Sequence, residues 1–270
     1  MMPEPHPSVR DLLAFYLEAG VDCALSDEPI DRLSENQDAV EERPAPPRPV
    51  LRTDMPAPVV PRSEIAPAPD VAITSARELA PTAATLTELR ALLETFDGCA
   101  LKATATQLVF ADGNPEAKIM FIGEAPGRDE DLAGRPFVGR SGKLLDLMIG
   151  AIGLDRTSAY IANIIPWRPP GNRDPSPQET QICLPFIRRQ IELVDPDVIV
   201  CLGKPSSQAV LELKDGIMKT RGRWYNYDTG KRTIRAMPTF HPAYLLRSPS
   251  YKRLTWQDLR AVRKALQPSS

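Results

Sequence analysis

The chain has 270 residues, 42% apolar and 25% charged, the proportions of an ordinary globular protein with room for one sizeable core or a domain plus a tail. No stretch approaches 18 uncharged apolar residues, which argues against a membrane span, and the opening Met-Met-Pro-Glu-Pro-His-Pro lacks the basic and apolar parts of a secretory leader. Four cysteines (Cys23, Cys99, Cys183, Cys201) are too few and too scattered for a disulfide scaffold, so the expectation is a cytoplasmic protein.

Charge and proline divide the chain at one place. Residues 1–90 carry 8 Arg and 16 acidic side chains, net −8, whereas residues 91–270 carry 25 basic and 19 acidic ones, net +6. An acidic tail on a basic domain points to a polyanionic partner. Nine of the 29 prolines lie between Pro44 and Pro69, in a stretch that buries too little apolar surface to offset its ordering entropy. Residues 1–83 are therefore expected to be a mostly disordered extension, and residues 84–270 a folded domain. Within the extension, residues 8–20 read as a short amphipathic helix: Ser8 can cap, Leu12, Leu13, Tyr16 and Leu17 form an apolar face, and Gly20 stops it. That helix either docks on a protein partner or folds back on its own domain.

From residue 84 the pattern alternates. A helix is expected over Leu86–Phe96, a buried strand over Lys118–Gly123, a helix over Ser141–Ile152 and a second strand over Ala159–Ile165. A helix over Pro177–Val194, a strand over Asp197–Gly203 and a helix over Ser206–Leu213 follow, then a hairpin over Arg223–Arg235 turning at Asp228-Thr-Gly, and a closing helix over Pro249–Leu266. Apolar strands alternating with helices predict an α/β fold, a three-layer α/β/α sandwich on a central, mainly parallel sheet. Ligands of such sheets bind beyond the carboxyl ends of the strands.

Several segments sit at those ends. Gly123-Glu-Ala-Pro-Gly-Arg-Asp-Glu-Asp131 crowds acidic residues into a turn after a buried strand, a costly place for charge. Gly134-x4-Gly139 followed by Arg140-Ser141 is one residue from a P-loop, but Arg140 replaces the essential lysine, so nucleotide hydrolysis is disfavoured. Gly139-Arg-Ser-Gly142 opening a helix still reads as an anion cradle. Asn163 ends the second strand, a basic Trp167-Arg-Pro-Pro-Gly-Asn-Arg173 loop follows, and His241 is one of only two histidines, which rules out a histidine metal cluster.

Taken together, Gly123-Glu-Ala-Pro-Gly127, Gly134-Arg-Pro-Phe-Val-Gly139, Tyr160-Ile-Ala-Asn163, Arg168-Pro-Pro-Gly-Asn-Arg173 and His241-Pro-Ala-Tyr-Leu-Leu-Arg247 stand in the order of one family. Over roughly residues 90–267 the chain resembles the uracil-DNA glycosylase superfamily, and within it the type-4, iron–sulfur branch. The resemblance implies hydrolysis of the N-glycosidic bond of deoxyuridine after base flipping, the first step of base excision repair, with uracil-containing DNA as partner. It implies that Phe137 stacks on the flipped base beside Gly123, and that Asn163 reads its Watson–Crick edge. His241 is implied to hydrogen-bond uracil O2, and Glu124 to position water or stabilise the sugar cation. Ala125 stands where the best-known uracil glycosylases carry an aspartate, and Gly127 where they use a tyrosine against the thymine methyl, a task Glu130 can take over. Leu245, Leu246 and Arg247 match the loop that wedges into the duplex. Arg140, Ser141, Arg173, Lys252 and Arg253 are candidate phosphate contacts.

The branch is also marked by a [4Fe–4S] cluster on four cysteines. Here Cys99 and Cys183 match two of them, while Phe96 and Trp167 replace the others; a shifted alignment makes Cys99 the first ligand and Lys102 the second, with the same two missing. Two thiolates do not hold such a cluster. The expectation is therefore no cofactor and no metal, with Phe96 and Trp167 as an apolar plug, in an enzyme that acts as a monomer without lyase chemistry. A binding protein of the same fold that recognises uracil or abasic DNA without turnover is the alternative.

Overall fold

A computed structural model describes residues 69–267. The expected helix at residues 8–20 and most of the expected disordered extension lie outside the described residues. The folded part begins earlier than residue 84. Helix α1 (Pro69–Leu79) buries Ala72 and Ala76, and the following turn buries Ala80, on a four-residue spacing that forms one narrow stripe. This corrects the expected boundary: small alanines let α1 lie close against another helix, a signal masked by the prolines just before it.

Helix α2 (Leu86–Thr95) starts at Thr85, whose side chain accepts from Glu88 N. After the two-residue strand β1 (Asp112–Gly113) come β2 (Ile119–Gly123), the short helix α3 (Arg128–Ala133), α4 (Arg140–Gly150) and β3 (Tyr160–Asn163). Helix α5 (Pro177–Val194) opens with a reciprocal cap, Ser176 Oγ accepting from Glu179 N at 3.2 Å and Glu179 accepting from Ser176 N at 2.7 Å. Strand β4 (Val198–Leu202), α6 (Lys204–Leu211) and α7 (Ile217–Thr220) lead to the hairpin of β5 (Tyr225–Asp228) and β6 (Thr233–Thr239). The chain closes with α8 (Pro242–Arg247) and α9 (Lys252–Leu266).

The sheet order is β1-β3-β2-β4-β6-β5. The four inner strands are parallel, and only β1 and β5 run antiparallel, at the edges. Side-chain alternation along a strand sends successive residues to opposite faces, and β2 does this: Met120 and Ile122 join one core with Leu89 of α2 and Ile187 and Ile191 of α5. Ile119 and Phe121 join the other, with Leu145 and Ile149 of α4 and Leu259 and Val262 of α9. Two cores with one sheet between them make the expected three-layer α/β/α sandwich. The second hairpin strand runs on past the expected Arg235 to Thr239, because it pairs with β4 along Arg235–Thr239 and so becomes an interior strand. Among the described residues no helix is long and apolar enough to cross a membrane.

From β2 the chain goes to β3 on one side, and from β4 to β6 on the other. A crevice opens where such connections diverge, at the carboxyl ends of the strands.

Candidate active site

The carboxyl ends of β2, β3 and β6 deliver Gly123 with Glu124, Asn163, and the Thr239–His241 segment to one place. With the Phe137 loop they enclose a cavity of about 380 Å³. Its lining includes Glu124, Ala125, Glu130, Phe137, Asn163 and His241. These were singled out in the sequence from segments up to 117 positions apart.

Phe137 is buried at 4% exposure and sits at φ +54°, a left-handed backbone rare for an aromatic residue. Its surroundings hold it there. Arg156 donates to the carbonyls of Pro136, at 3.1 Å, and of Phe137, while ion-pairing with Asp112 at 2.6 Å and Asp146 at 2.8 Å. Gly142 has no side chain because a Cβ there would lie 1.7 Å from the Phe137 carbonyl oxygen, so the first turn of α4 closes directly on the loop. At the floor, a Cβ on Gly123 would stand 2.3 Å from Asn163 Oδ1 and 2.6 Å from Phe137 Cζ. Glycine thus lets the amide and the ring share one wall. Asn163 is buried, and its Oδ1 has no hydrogen-bond partner. A buried acceptor left open is costly and rare; here it faces a cavity and can accept from a ligand N–H.

His241 caps α8 through Nδ1, which accepts from Ala243 N at 3.1 Å. An accepting Nδ1 carries no proton, so the neutral ring carries its proton on Nε2 and offers it as a donor. Burial, followed by the Arg247 charge, pushes the pKa down to about 4. The ring lies 5.5 Å from that of Phe137, centroid to centroid. The end of β6 ahead of it is fixed by Thr239 Oγ1, which donates to buried Asp258 at 2.7 Å; Asp258 in turn pairs with Arg221.

Glu124 is half-buried, and burial first, the Asp174 carboxylate second, raise its pKa above the ordinary range. Glu130 is different. Its two carboxylate oxygens accept from Gly127 N at 3.0 Å, Val138 N at 3.0 Å and Gly139 N at 2.9 Å. The side chain ties the turn after β2 to the Phe137 loop, so its polar atoms are engaged and only its bulk faces the cavity. The same bonds correct the expected anion cradle at Gly139–Gly142, since two of the amides around its start already hold a carboxylate. Asp131, also buried, accepts from Thr106 N and Oγ1 at 2.8 Å each. Of the crowded acids after β2, Glu130 and Asp131 are thus fasteners, Asp129 is exposed on the surface, and Glu124 is left facing the cavity. The P-loop resemblance dissolves as well: Gly134 terminates α3 at φ +66°, so that loop follows a helix and not a strand.

Around the mouth, Ser141 and Arg247 line the cavity, and Arg140, Arg247 and Leu246 line an adjoining hollow of about 490 Å³. Leu246 is 37% exposed at the protein surface, whereas Leu245 is 1% exposed and packed into the core beneath α4 and α9. Leu245 is therefore no wedge, a correction that follows from α8 being helical: consecutive residues of a helix turn to different sides. Arg173 lines the cavity but its guanidinium makes a two-pronged pair with Glu179, at 2.6 and 2.9 Å, so it is not free for phosphate as expected. Lys252 and Arg253 are exposed at the start of α9.

Elsewhere, Phe96, Cys99, Trp167 and Cys183 are all buried in the core on one face of the sheet. Phe96 packs edge-on against Phe186 at 5.0 Å between centroids, and Trp167 is 2% exposed. Cys183 Sγ donates to Cys99 Sγ at 3.9 Å; this bond and then burial hold the Cys183 thiol above its ordinary pKa. Lys102, the alternative ligand position, is ion-paired with Asp97 at 2.6 Å. Among the described residues no group of three or more His, Cys, Asp or Glu side chains could hold a metal.

Sequence reasoning missed Arg156, Asp258 and Asp174. Arg156 and Asp258 act through contacts with partners 10 to 44 positions away, and no local pattern marks those contacts. Asp174 was legible only as part of a basic loop.

Comparison with known proteins agrees with this geometry. The profile of the Uracil DNA glycosylase superfamily matches residues 110–260. A type-4 uracil-DNA glycosylase of Archaeoglobus fulgidus is 41% identical over 168 residues, which are 61% of this chain and 84% of that protein. Proteins of the same name from Sulfurisphaera tokodaii and Thermotoga maritima are also 41% identical, over 78% and 86% of their lengths.

Proposed function

The chain belongs to the uracil-DNA glycosylase superfamily, and from that premise we propose that it excises uracil from DNA as a monofunctional glycosylase that opens base excision repair. The observation that carries this reading is the open acceptor of Asn163, buried between Gly123 and Phe137 at the floor of a cavity. Uracil presents an N–H at N3 flanked by carbonyl oxygens. The Asn163 amide accepts from N3–H through Oδ1 and donates to O4 through Nδ2, whereas cytosine offers the opposite pattern. Phe137 supplies a flat face for the flipped base. The bulk of Glu130 stands where a 5-methyl group would enter.

In the reaction the C1′–N1 bond breaks, and its electron pair goes onto the base, with charge growing at O2. The neutral His241 ring meets that charge with its Nε2 proton. A donor whose ring stays uncharged in the ground state acts most strongly as the oxyanion develops. Glu124 faces the sugar as a carboxylate, where it stabilises the cationic C1′ or takes a proton from the water that attacks it. Ala125 contributes no acid or base, so Glu124 is the ionisable group proposed for this side. Leu246 and Arg247 enter the duplex, and Arg140, Ser141 and Lys252 hold phosphates.

The [4Fe–4S] cluster of the type-4 branch does not fit this donor set. Two thiols 3.9 Å apart, with Phe96 and Trp167 filling the other two positions, cannot supply four thiolates. We propose that the aromatics stand in for the cluster as packing. Purified protein is expected to contain no stoichiometric iron and no visible charge-transfer absorption; one cluster per chain overturns this. The acidic segment of residues 1–68 is proposed as a tether to another repair protein, on an enzyme that works as a monomer.

The test is a labelled oligonucleotide with one uracil, followed by alkali. Multiple-turnover release of free uracil supports the glycosylase. Tight binding with no release makes the protein a uracil-recognition module of the same fold.

A further inference from the structure

The outer face of α9 carries a feature that the excision chemistry does not use. Of its 15 residues, Lys252, Arg253, Trp256, Gln257, Arg260, Arg263 and Lys264 are exposed, while Thr255, Asp258, Leu259 and Val262 are buried. At 100° per residue the seven exposed positions fall within an arc of about 140°. That arc holds five cations and no acid. The helix has a single carboxylate, Asp258, which is turned inward and engaged by Thr239 and Arg221. None of the five cations forms an ion pair among the described residues, although most arginines elsewhere in the fold do. Arg260 stands three and four positions before Arg263 and Lys264, spacings at which like charges oppose each other on a helix. Amid them Trp256 is 42% exposed, an indole kept at the surface with cations on either side along the same face.

Resting on the reading of the substrate as DNA, we propose that this face of α9 is a second DNA-binding surface, which holds the strand flanking the flipped nucleotide. Two arguments fix the occupant. One is charge: a lattice of cations without acids matches a phosphodiester backbone, and a helix of 15 residues spans about 22 Å, against a phosphate about every 3.4 Å along one strand of a duplex. The other is continuity. Lys252 begins α9 five residues after Arg247, which lines the cavity, so the first cation of the face lies within the roughly 18 Å that five residues can span from the rim of the site. Trp256, one turn in, adds what a backbone clamp does not need: a flat apolar face on which an unpaired base stacks. The face therefore serves single-stranded flanks beyond the reach of the pocket.

The test is binding and excision with the full-length protein on two uracil oligonucleotides, one ending two nucleotides from the uracil and one extending 15 nucleotides to either side. Triple substitution Arg260→Ala, Arg263→Ala and Lys264→Ala is expected to weaken binding of the long substrate at least tenfold. It should also lower the dependence of log K on log salt by about 2 to 3, roughly one per lost phosphate contact. Arg260→Lys with Arg263→Lys should restore both. Trp256→Ala should weaken long single strands about tenfold and leave long duplexes within twofold. Excision of the short substrate stays at the wild-type rate in all of them. An unchanged salt slope, or an equal loss on short and long substrates, overturns the proposal, and with it goes DNA as the occupant of this face in favour of a protein. If wild type releases no uracil yet binds the long strand with a slope that the triple variant loses, the excision reading fails and the second surface stands.

Discussion

His241 links the pocket to pH in a way that can be measured without any substrate. In the unfolded chain its imidazole titrates near 6.5; in the fold, burial and Arg247 lower this to about 4. Below pH 6.5 the unfolded chain therefore binds a proton that the folded chain does not. Stability is full above the unfolded value and falls as pH drops from 6.5 towards 4, by up to about 3.4 kcal/mol for a shift of this size. At pH 5 the loss is about 2 kcal/mol relative to pH 8, from the same linkage relation. Urea unfolding of wild type and His241→Ala at both pH values isolates it, because the variant shares every other titrating group. The stability gap, wild type minus variant, is expected to shrink by about 2 kcal/mol from pH 8 to pH 5. A gap that is constant within about 0.5 kcal/mol, beneath which point substitutions are ordinary surface effects, refutes a histidine held neutral by the fold. The same variant should lose about 10² to 10³ in kcat, the usual cost of one donor to a developing oxyanion.

Three further outcomes follow from the geometry. Gly123→Ala places a methyl group 2.3 Å from Asn163 Oδ1 and 2.6 Å from Phe137 Cζ, so kcat/KM should fall by about 10² or more while circular dichroism stays native. Because the Glu124 pKa is raised, the carboxylate is lost at a higher pH than usual as acid is added; the acid limb of the wild-type rate should lie above the ordinary carboxylate range, and Glu124→Gln should be slow and lack that limb. Leu245→Ala should cost about 2–5 kcal/mol in denaturant unfolding, whereas Leu246→Ala, at an exposed position, should change stability by less than about 0.5 kcal/mol and instead weaken excision from duplex more than from single strands.

The sheet and the pocket were legible because each rests on local signals. The runs around Ile119–Gly123 and Val198–Leu202 are too apolar and too short for anything but buried strands, and glycine or asparagine at their ends marks where the chain leaves the core. Asn163, Phe137 and His241 stand out by motif, and all three line one cavity. What stayed hidden depends on distant partners. Leu245 and Leu246 are equivalent in the sequence, and only the helical turn of α8 sends one inward and the other out. Glu130 reads as one of several costly charges in a turn until three backbone amides take its oxygens. Arg173 reads as a phosphate contact until Glu179, six positions on, claims its guanidinium. Helix α1 was lost in a proline-rich neighbourhood because alanine is weakly apolar and its stripe gives little contrast.

The most direct measurement is the rate of free-uracil release from a single-uracil oligonucleotide by wild type and by Asn163→Ala, under multiple turnover at pH 7.5. The account expects repeated turnover by wild type and a loss of at least about 10² in the variant, since removing the amide leaves the imide edge of uracil unread in a buried site. Release by Asn163→Ala at the wild-type rate, or none by wild type, contradicts it.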